Sequence, residues 1–243
     1  MNTVTPPGWQ RRAVGLDRAL ARVGDGVTMV FGLGPPVSGT SLDQRLSALL
    51  AEPGLGLAAV RRCRQVHGRR LHPVDGDGPA VAEVGDGDAL ATASPGVGLL
   101  VVTADCVPVL MAGGGAAAAV HAGWRGCAAD VVGAVVAALG DRWGVAASRL
   151  RVALGPAVCG ACYQVGSEVP AALGRIETDE ARWRRGDRVD LRAFLRARFE
   201  ALGVPPERIE TVGGCTLEDP ELASYRRDGA RAGRQWSLVS LTG

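Results

Sequence analysis

The chain has 243 residues, 47% of them hydrophobic and 21% charged, with a formal net charge of +2. That balance argues against a nucleic-acid or membrane-surface partner and leaves enough apolar residue for one continuous core. All 27 cationic residues are Arg, which excludes Schiff-base chemistry and lysine-dependent phosphate loops and leaves cationic substrate contacts to guanidinium groups.

Residues 1–25 form a poorly defined N-terminal segment without the apolar core of a signal peptide. No run reaches the roughly 18 apolar residues of a membrane span. Val27–Leu33 predicts a strand, ended by Gly34, Pro35 and Pro36. Residues 41–51 predict a helix: Ser41 caps it, Gln44 sits three residues on, and Leu42, Leu46, Leu49 and Leu50 make the apolar stripe. Residues 57–66 predict a strand that delivers His67 at its end. The Gly- and Asp-rich stretch 75–88 reads as loop. Val97–Thr103, 107–112 and 116–121 predict successive buried strands, and 127–140 a helix of small residues. Residues 149–154 predict another strand. Residues 190–203 give the clearest helix, with Leu191, Phe194, Leu195, Phe199 and Leu202 at helical spacing and Gly203 as its stop. Strands near 209–212 and 236–241 close the chain. No repeat or linker interrupts 1–243, so one α/β domain with a mixed sheet is expected.

The chain has three histidines, and two stand beside glycines at strand ends: His67 in RQVHG and His121 in HAGWRG. Cys106 follows Asp105 in the turn of TADCVPVL. Two imidazoles and a thiolate suit zinc and leave a fourth position for a reactant. The spacing is long and irregular, which leaves a plain alternative: each His satisfies a backbone group and Cys106 is a small buried residue. Arg64 and Arg125 flank the two histidines and can fork to phosphate or a purine edge. Asp105 is a candidate proton carrier or orienting carboxylate, or simply a turn cap. Cys159 and Cys162 form a CxxC without a second ligand pair, Cys63 and Cys127 read as packing, and His72 as a surface residue. The arginine-rich run 182–188 reads as a solvated loop. Six cysteines without a secretion signal point to reduced thiols and a cytoplasmic setting.

Taken together, RQVHG, TADCVPVL, HAGWRG, GPAVCGACYQVG and the late CT, SYRRDG and GR segments occur in an order that resembles the laccase-domain family. This family is also called polyphenol oxidase-like, or the bacterial purine nucleoside phosphorylase family with a His-Cys-His zinc site. The resemblance runs from about Val27 to the C-terminus. It implies a layered α/β/β/α fold with mixed sheets, like certain cysteine hydrolases, and zinc on His67, Cys106 and His121, with copper as the alternative metal. It implies phosphorolysis of adenosine, inosine, guanosine and S-methyl-5′-thioadenosine, and hydrolytic deamination of adenosine. Catalysis would fall to Asp105, Cys106 and His121, and substrate binding to Arg64, Gln65, Arg125 and Arg226. Gln164 stands where the family has Glu. Three histidines cannot ligate a blue-copper centre plus a trinuclear cluster, so multicopper laccase chemistry is not expected. A metal-free Cys–His hydrolase or deamidase, with Cys106 as nucleophile and His121 as base, is the competing enzyme class. A zinc-stabilised interaction module is the non-enzymatic one. Oligomeric state is not legible.

Overall fold

A computed structural model describes residues 4–34 and 40–243. Pro35 and Pro36, the expected strand breakers, lie outside them. The stretch assigned no element, 1–25, holds two strands: β1 (Gln10–Val14) and β2 (Asp17–Gly24). They run antiparallel into β3 (Val27–Leu33). Helix α1 (Leu42–Leu50) begins with the expected capping box: Ser41 Oγ accepts from Gln44 N, and Gln44 Oε1 accepts from Ser41 N at 2.8 Å. Such a cap is worth about 1 kcal/mol.

Next come β4 (Ala59–Arg64), β5 (Leu71–Pro73), β6 (Val81–Asp86) and β7 (Ala89–Thr92). The expected loop 75–88 thus contains a strand. β6 pairs parallel with β4 and is a half-exposed edge, so it lacks the alternating apolar pattern that reveals a strand. His72, expected at the surface, is half-buried on β5 with Nε2 2.9 Å from the Asp86 carbonyl oxygen. β8 (Val97–Thr103), β9 (Val107–Gly113) and β10 (Ala116–Ala122) follow where the apolar runs place them.

The expected helix 127–140 is two helices, α2 (Trp124–Ala128) and α3 (Val131–Trp143). They break at Asp130, whose φ of 57° interrupts any continuous helix. After β11 (Arg151–Leu154) and α4 (Glu168–Leu173), β12 (Arg184–Arg185) and β13 (Arg188–Val189) make a small hairpin out of the expected arginine-rich loop. Then come α5 (Leu191–Ala201), β14 (Ile209–Thr211), α6 (Tyr225–Asp228) and β15 (Gln235–Leu241).

The strands form two mixed sheets. One has the order β1-β2-β3-β15-β8-β4-β6 and the other β14-β11-β9-β10-β7-β5. The run β8, β9, β10 is therefore split, with β8 in the first sheet and its two successors in the second. Side chains alternate across each strand. On β3, Met29, Phe31 and Leu33 face a cluster between the sheets with Leu99, Val101, Leu110, Ala117 and Ala119, while Val30 faces α1 with Leu46 and Leu49. On β10, Ala118 and Val120 face the opposite way, towards Val132, Val135 and Leu139 of α3 and Phe194 and Leu195 of α5. The layers are therefore α/β/β/α, with α1 outside one sheet and α3 and α5 outside the other. Among the described residues no helix is long and apolar enough to cross a membrane.

Candidate metal centre and its cavity

The crossing from one sheet to the other builds the site. β8 ends at Thr103 and β9 starts at Val107, so residues 104–106 bridge the layers. Asp105 takes φ 80° at this bend and Cys106 follows it. His121, the penultimate residue of β10, sits opposite Pro108 in register, close to the start of β9. His67 comes from beyond β4, at φ 59°. Its turn forms around the Asp88 carboxylate, which accepts from the backbone N–H of Val66 at 3.3 Å, His67 at 2.9 Å and Gly68 at 2.6 Å. Asp88 Oδ1 also lies 2.8 Å from His121 Nδ1, and its carbonyl accepts from His121 N at 2.8 Å. One buried carboxylate thus orients both histidines.

The result is a convergent trio: ligand atoms of His67, Cys106 and His121 all lie within 4.8 Å of one another. The two imidazoles meet edge to face, with centroids 4.7 Å apart. Gly123, after β10, faces them. A Cβ there would stand 2.9 Å from Cys106 Sγ and 3.2 Å from His67 Cδ2, so the site is shaped by the missing methyl.

Burial alone would push the Cys106 thiol up. Hydrogen bonds to His121 and His67 and their charge outweigh it and bring it down to about 7. Burial would push His121 down, but Asp88 and Cys106 raise it to about 9. Asp88 stays below its ordinary value despite burial, because His121 and the N–H groups of Gly68 and His67 hold its anion. A thiolate, an imidazole oriented through its far nitrogen and a second imidazole within reach are a donor set that fits a zinc-class ion. The residues present therefore fit the metal that the sequence suggests.

The trio opens into a cavity of about 900 Å³, at the upper end of the roughly 300–1,000 Å³ usual for small-molecule sites. All the sequence-proposed residues line it, but not all have free hands. Arg64 pairs with Asp86. Gln65 is occupied with backbone: Nε2 donates to Val102 O at 2.7 Å and Oε1 accepts from Val102 N at 2.8 Å. Asp105 accepts from Thr216 Oγ1 and from Arg226 N, both at 2.6 Å, so it braces the wall. The guanidinium groups of Arg125, Arg226 and Arg234 stand 4.4, 4.9 and 6.0 Å from the ring centroids of Trp124, Tyr163 and Tyr225. Among the described residues these three arginines make no ion pair.

Sequence reasoning missed Asp88, Trp124, Tyr163 and Arg234. Asp88 was hidden in a run of Gly and Asp, where its only signal is the buried strand that starts one residue later. Trp124 stands inside HAGWRG and Tyr163 beside the CxxC, so both were adjacent to motifs already singled out.

A family described as multi-copper polyphenol oxidoreductase laccase matches residues 39–242. Purine nucleoside phosphorylase ORF3 of Streptomyces griseus is 41% identical over 191 residues, covering 75% of this chain and 76% of that one. A purine nucleoside phosphorylase of Deinococcus radiodurans is 34% identical over 220 residues, covering 85% and 83%. The crystal structure of YlmD from Geobacillus stearothermophilus superposes with a TM-score of 0.83 at 26% identity, over 98% of this chain and 100% of that one. The Bacillus licheniformis hypothetical protein YfiH shares the fold, with a TM-score of 0.81 at 22% identity over 98% and 100% of the two chains.

Proposed function

The chain belongs to the multi-copper polyphenol oxidoreductase laccase family, and within it we propose that the protein is a zinc-dependent purine nucleoside phosphorylase centred on His67, Cys106 and His121. The observation that carries the reading is the convergence of this trio on a cavity rimmed by arginines and aromatic rings. Zinc held by the trio supplies Lewis acidity beside the bound substrate.

The chain's own residues supply the rest. Trp124 and Tyr163 offer flat faces for a purine, and Arg125 and Arg226, already stacked on them, have planar forks for phosphate. In phosphorolysis a phosphate oxygen bonds to the anomeric carbon as the glycosidic C–N bond breaks, and the purine leaves with the bonding pair. Asp105, through its bond to Arg226 N, is a positioning residue for that arginine. Hydrolytic deamination of adenosine is the second expected activity, with inosine, guanosine and S-methyl-5′-thioadenosine as further substrates of phosphorolysis. We place the protein in the cytoplasm, where phosphate and nucleosides meet reduced thiols. Copper fits the same ligands less well as a laccase cluster, for the three histidines cannot hold one.

A second reading has its own observation: Cys106, His121 and Asp88 stand as nucleophile, base and orienting carboxylate. One experiment separates the two. Zinc-loaded protein is incubated with adenosine and phosphate, and adenine, inosine and ribose 1-phosphate are quantified, before and after chelation. Release of adenine only in the zinc-loaded form supports the phosphorylase. Absence of both adenine and inosine refutes it, and thiol-dependent hydrolysis of esters or amides by the chelated protein favours the Cys–His reading.

A further inference from the structure

The CxxC of Cys159 and Cys162 gains in three dimensions the partners it lacks in sequence. β11 and β14 are parallel neighbours, and their pairing continues past the strand ends through the bridge between Ala157 and Cys215. Ala157 O accepts from Thr216 N at 3.1 Å, which lays the Cys215 turn against the Cys159 turn. Ligand atoms of Cys159, Cys162, Cys215 and Glu218 all come within 4.8 Å of one another. With Zn–S of about 2.3 Å, tetrahedral geometry needs sulfurs about 3.8 Å apart, so small side-chain rotations suffice.

The two turns are built alike. Cys159-Gly-Ala-Cys162 and Cys215-Thr-Leu-Glu218 each place a donor at the first and fourth positions. In each, a backbone N–H after the fourth residue bonds back to the first residue's carbonyl: Tyr163 N to Cys159 O at 3.0 Å and Asp219 N to Cys215 O at 3.0 Å. In each, the first sulfur is approached by N–H groups of its own turn, from Ala161 in one and from Leu217 and Glu218 in the other. Cys215 Sγ further accepts from Cys159 N at 3.3 Å. Peptide N–H groups aimed at sulfur stabilise a thiolate ligand, as they do any anion. Cys162 Sγ already donates to Glu218 Oε1 at 3.4 Å. Cys159 and Cys215 are buried, Cys162 is half-buried and Glu218 exposed, so an ion has a path in from the carboxylate side.

We propose that Cys159, Cys162, Cys215 and Glu218 form a second metal site, separate from the His67, Cys106 and His121 trio, that takes a thiophilic divalent ion of the zinc class. Three thiolates and a carboxylate close the coordination shell, which makes the site structural, whereas the cavity trio leaves a position open. Each thiol gives up its proton on binding. The ion would pin the cavity wall: Tyr163 follows Cys162, and Thr216 follows Cys215 and donates to Asp105 at 2.6 Å. The inference stands whatever reaction the cavity performs.

The test is metal stoichiometry of the full chain, stripped by chelator under reducing conditions and titrated with Co²⁺ and then Zn²⁺. Two equivalents are expected. Cys106→Ser should keep one of them, with the intense sulfur-to-cobalt absorption of a thiolate-rich site. Cys162→Ser and Glu218→Gln, which alter the two outermost ligands and spare the buried ones, should weaken that equivalent at least tenfold and leave the other. A single equivalent in the parent protein that disappears in Cys106→Ser would overturn the proposal. So would a disulfide among Cys159, Cys162 and Cys215 that survives reductant, or a second equivalent indifferent to both outer-ligand variants.

Discussion

Asp88 does more for the candidate metal centre than the sequence contexts of His67, Cys106 and His121 reveal. It is fully buried, accepts three backbone N–H groups of the His67 turn and holds His121 by its Nδ1. Asp88→Asn would replace one of the two oxygens by an amide donor that faces N–H groups, so the turn and the imidazole lose their common anchor. Removing such an orienting partner costs about 10–100-fold in metal affinity. Competition against a chromophoric chelator should show that loss, with circular dichroism confirming a folded chain; unchanged affinity would mean that the histidines are oriented by something else. Cys106 carries the second prediction at this scale. Its thiol titrates at about 7 in the metal-free protein, well below the ordinary 9.0, and only the thiolate attacks an alkylating agent. The rate of Cys106 alkylation by iodoacetamide should therefore rise with pH to a half-maximum near 7, then level off, and saturating zinc should suppress it. Cys63, pushed up to about 12 mainly by burial, should stay unreacted across the same range, and peptide mapping tells the two apart. A midpoint near the ordinary thiol value would show that the imidazoles do not stabilise the anion.

At the scale of elements, the break between α2 and α3 shows what local pattern conceals. The small apolar residues of 127–140 read as one helix, yet Asp130 sits at φ 57° and its carboxylate caps Gly133 N at 3.3 Å. The same carboxylate receives Arg198 of α5 in a fork, with Nε at 2.9 Å and Nη2 at 2.6 Å. The cap is worth about 1 kcal/mol, a left-handed backbone at a non-Gly residue costs about 1–2 kcal/mol, and Arg198 would lose its partner. Asp130→Ala should therefore lower stability by about 2 kcal/mol in urea denaturation, and Asp130→Asn by roughly half of that, since Asn tolerates the backbone and still caps. Equal losses would assign the effect to charge alone. Elements with a strong period and a clear stop were legible: β3, α1 with its capping box, the strands at 97–122, and α5. What escaped was decided by distant contacts. β6 is an edge held by β4, and the two sheets divide β8 from β9 although both read as buried apolar runs. The strand ends bearing His67, Cys106 and His121 were legible, and the motif order pointed to their union. Asp88's contacts with the His67 turn and His121, and the stacking of Arg226 on Tyr163, depend on chain segments that no local window joins.

At the scale of the whole molecule, a polar contact between residues 219 positions apart ties β2 to β15. Asp17 of β2 accepts from Trp236 Nε1 of β15 at 2.7 Å and from Arg45 Nε of α1 at 2.9 Å, and it also faces Arg45 Nη2 at 2.9 Å. All three side chains are buried on the α1 side of the first sheet, and Gly32 leaves room for the indole, since a Cβ there would stand 2.7 Å from the ring. A buried pair gains little over a well-packed apolar pair, but losing one partner strands the other charge out of water, at about 3–5 kcal/mol. Asp17→Ala should cost that much in urea denaturation. The double variant Asp17→Asn with Arg45→Met, which leaves no buried charge, should cost less than Asp17→Ala alone. The pair lies beyond the first sheet from the second, so zinc affinity of the folded single variant should match the parent's. If Asp17→Ala instead proves as stable as the parent, water reaches Arg45, and β2, α1 and β15 are held together by the β3 ladder and their apolar contacts.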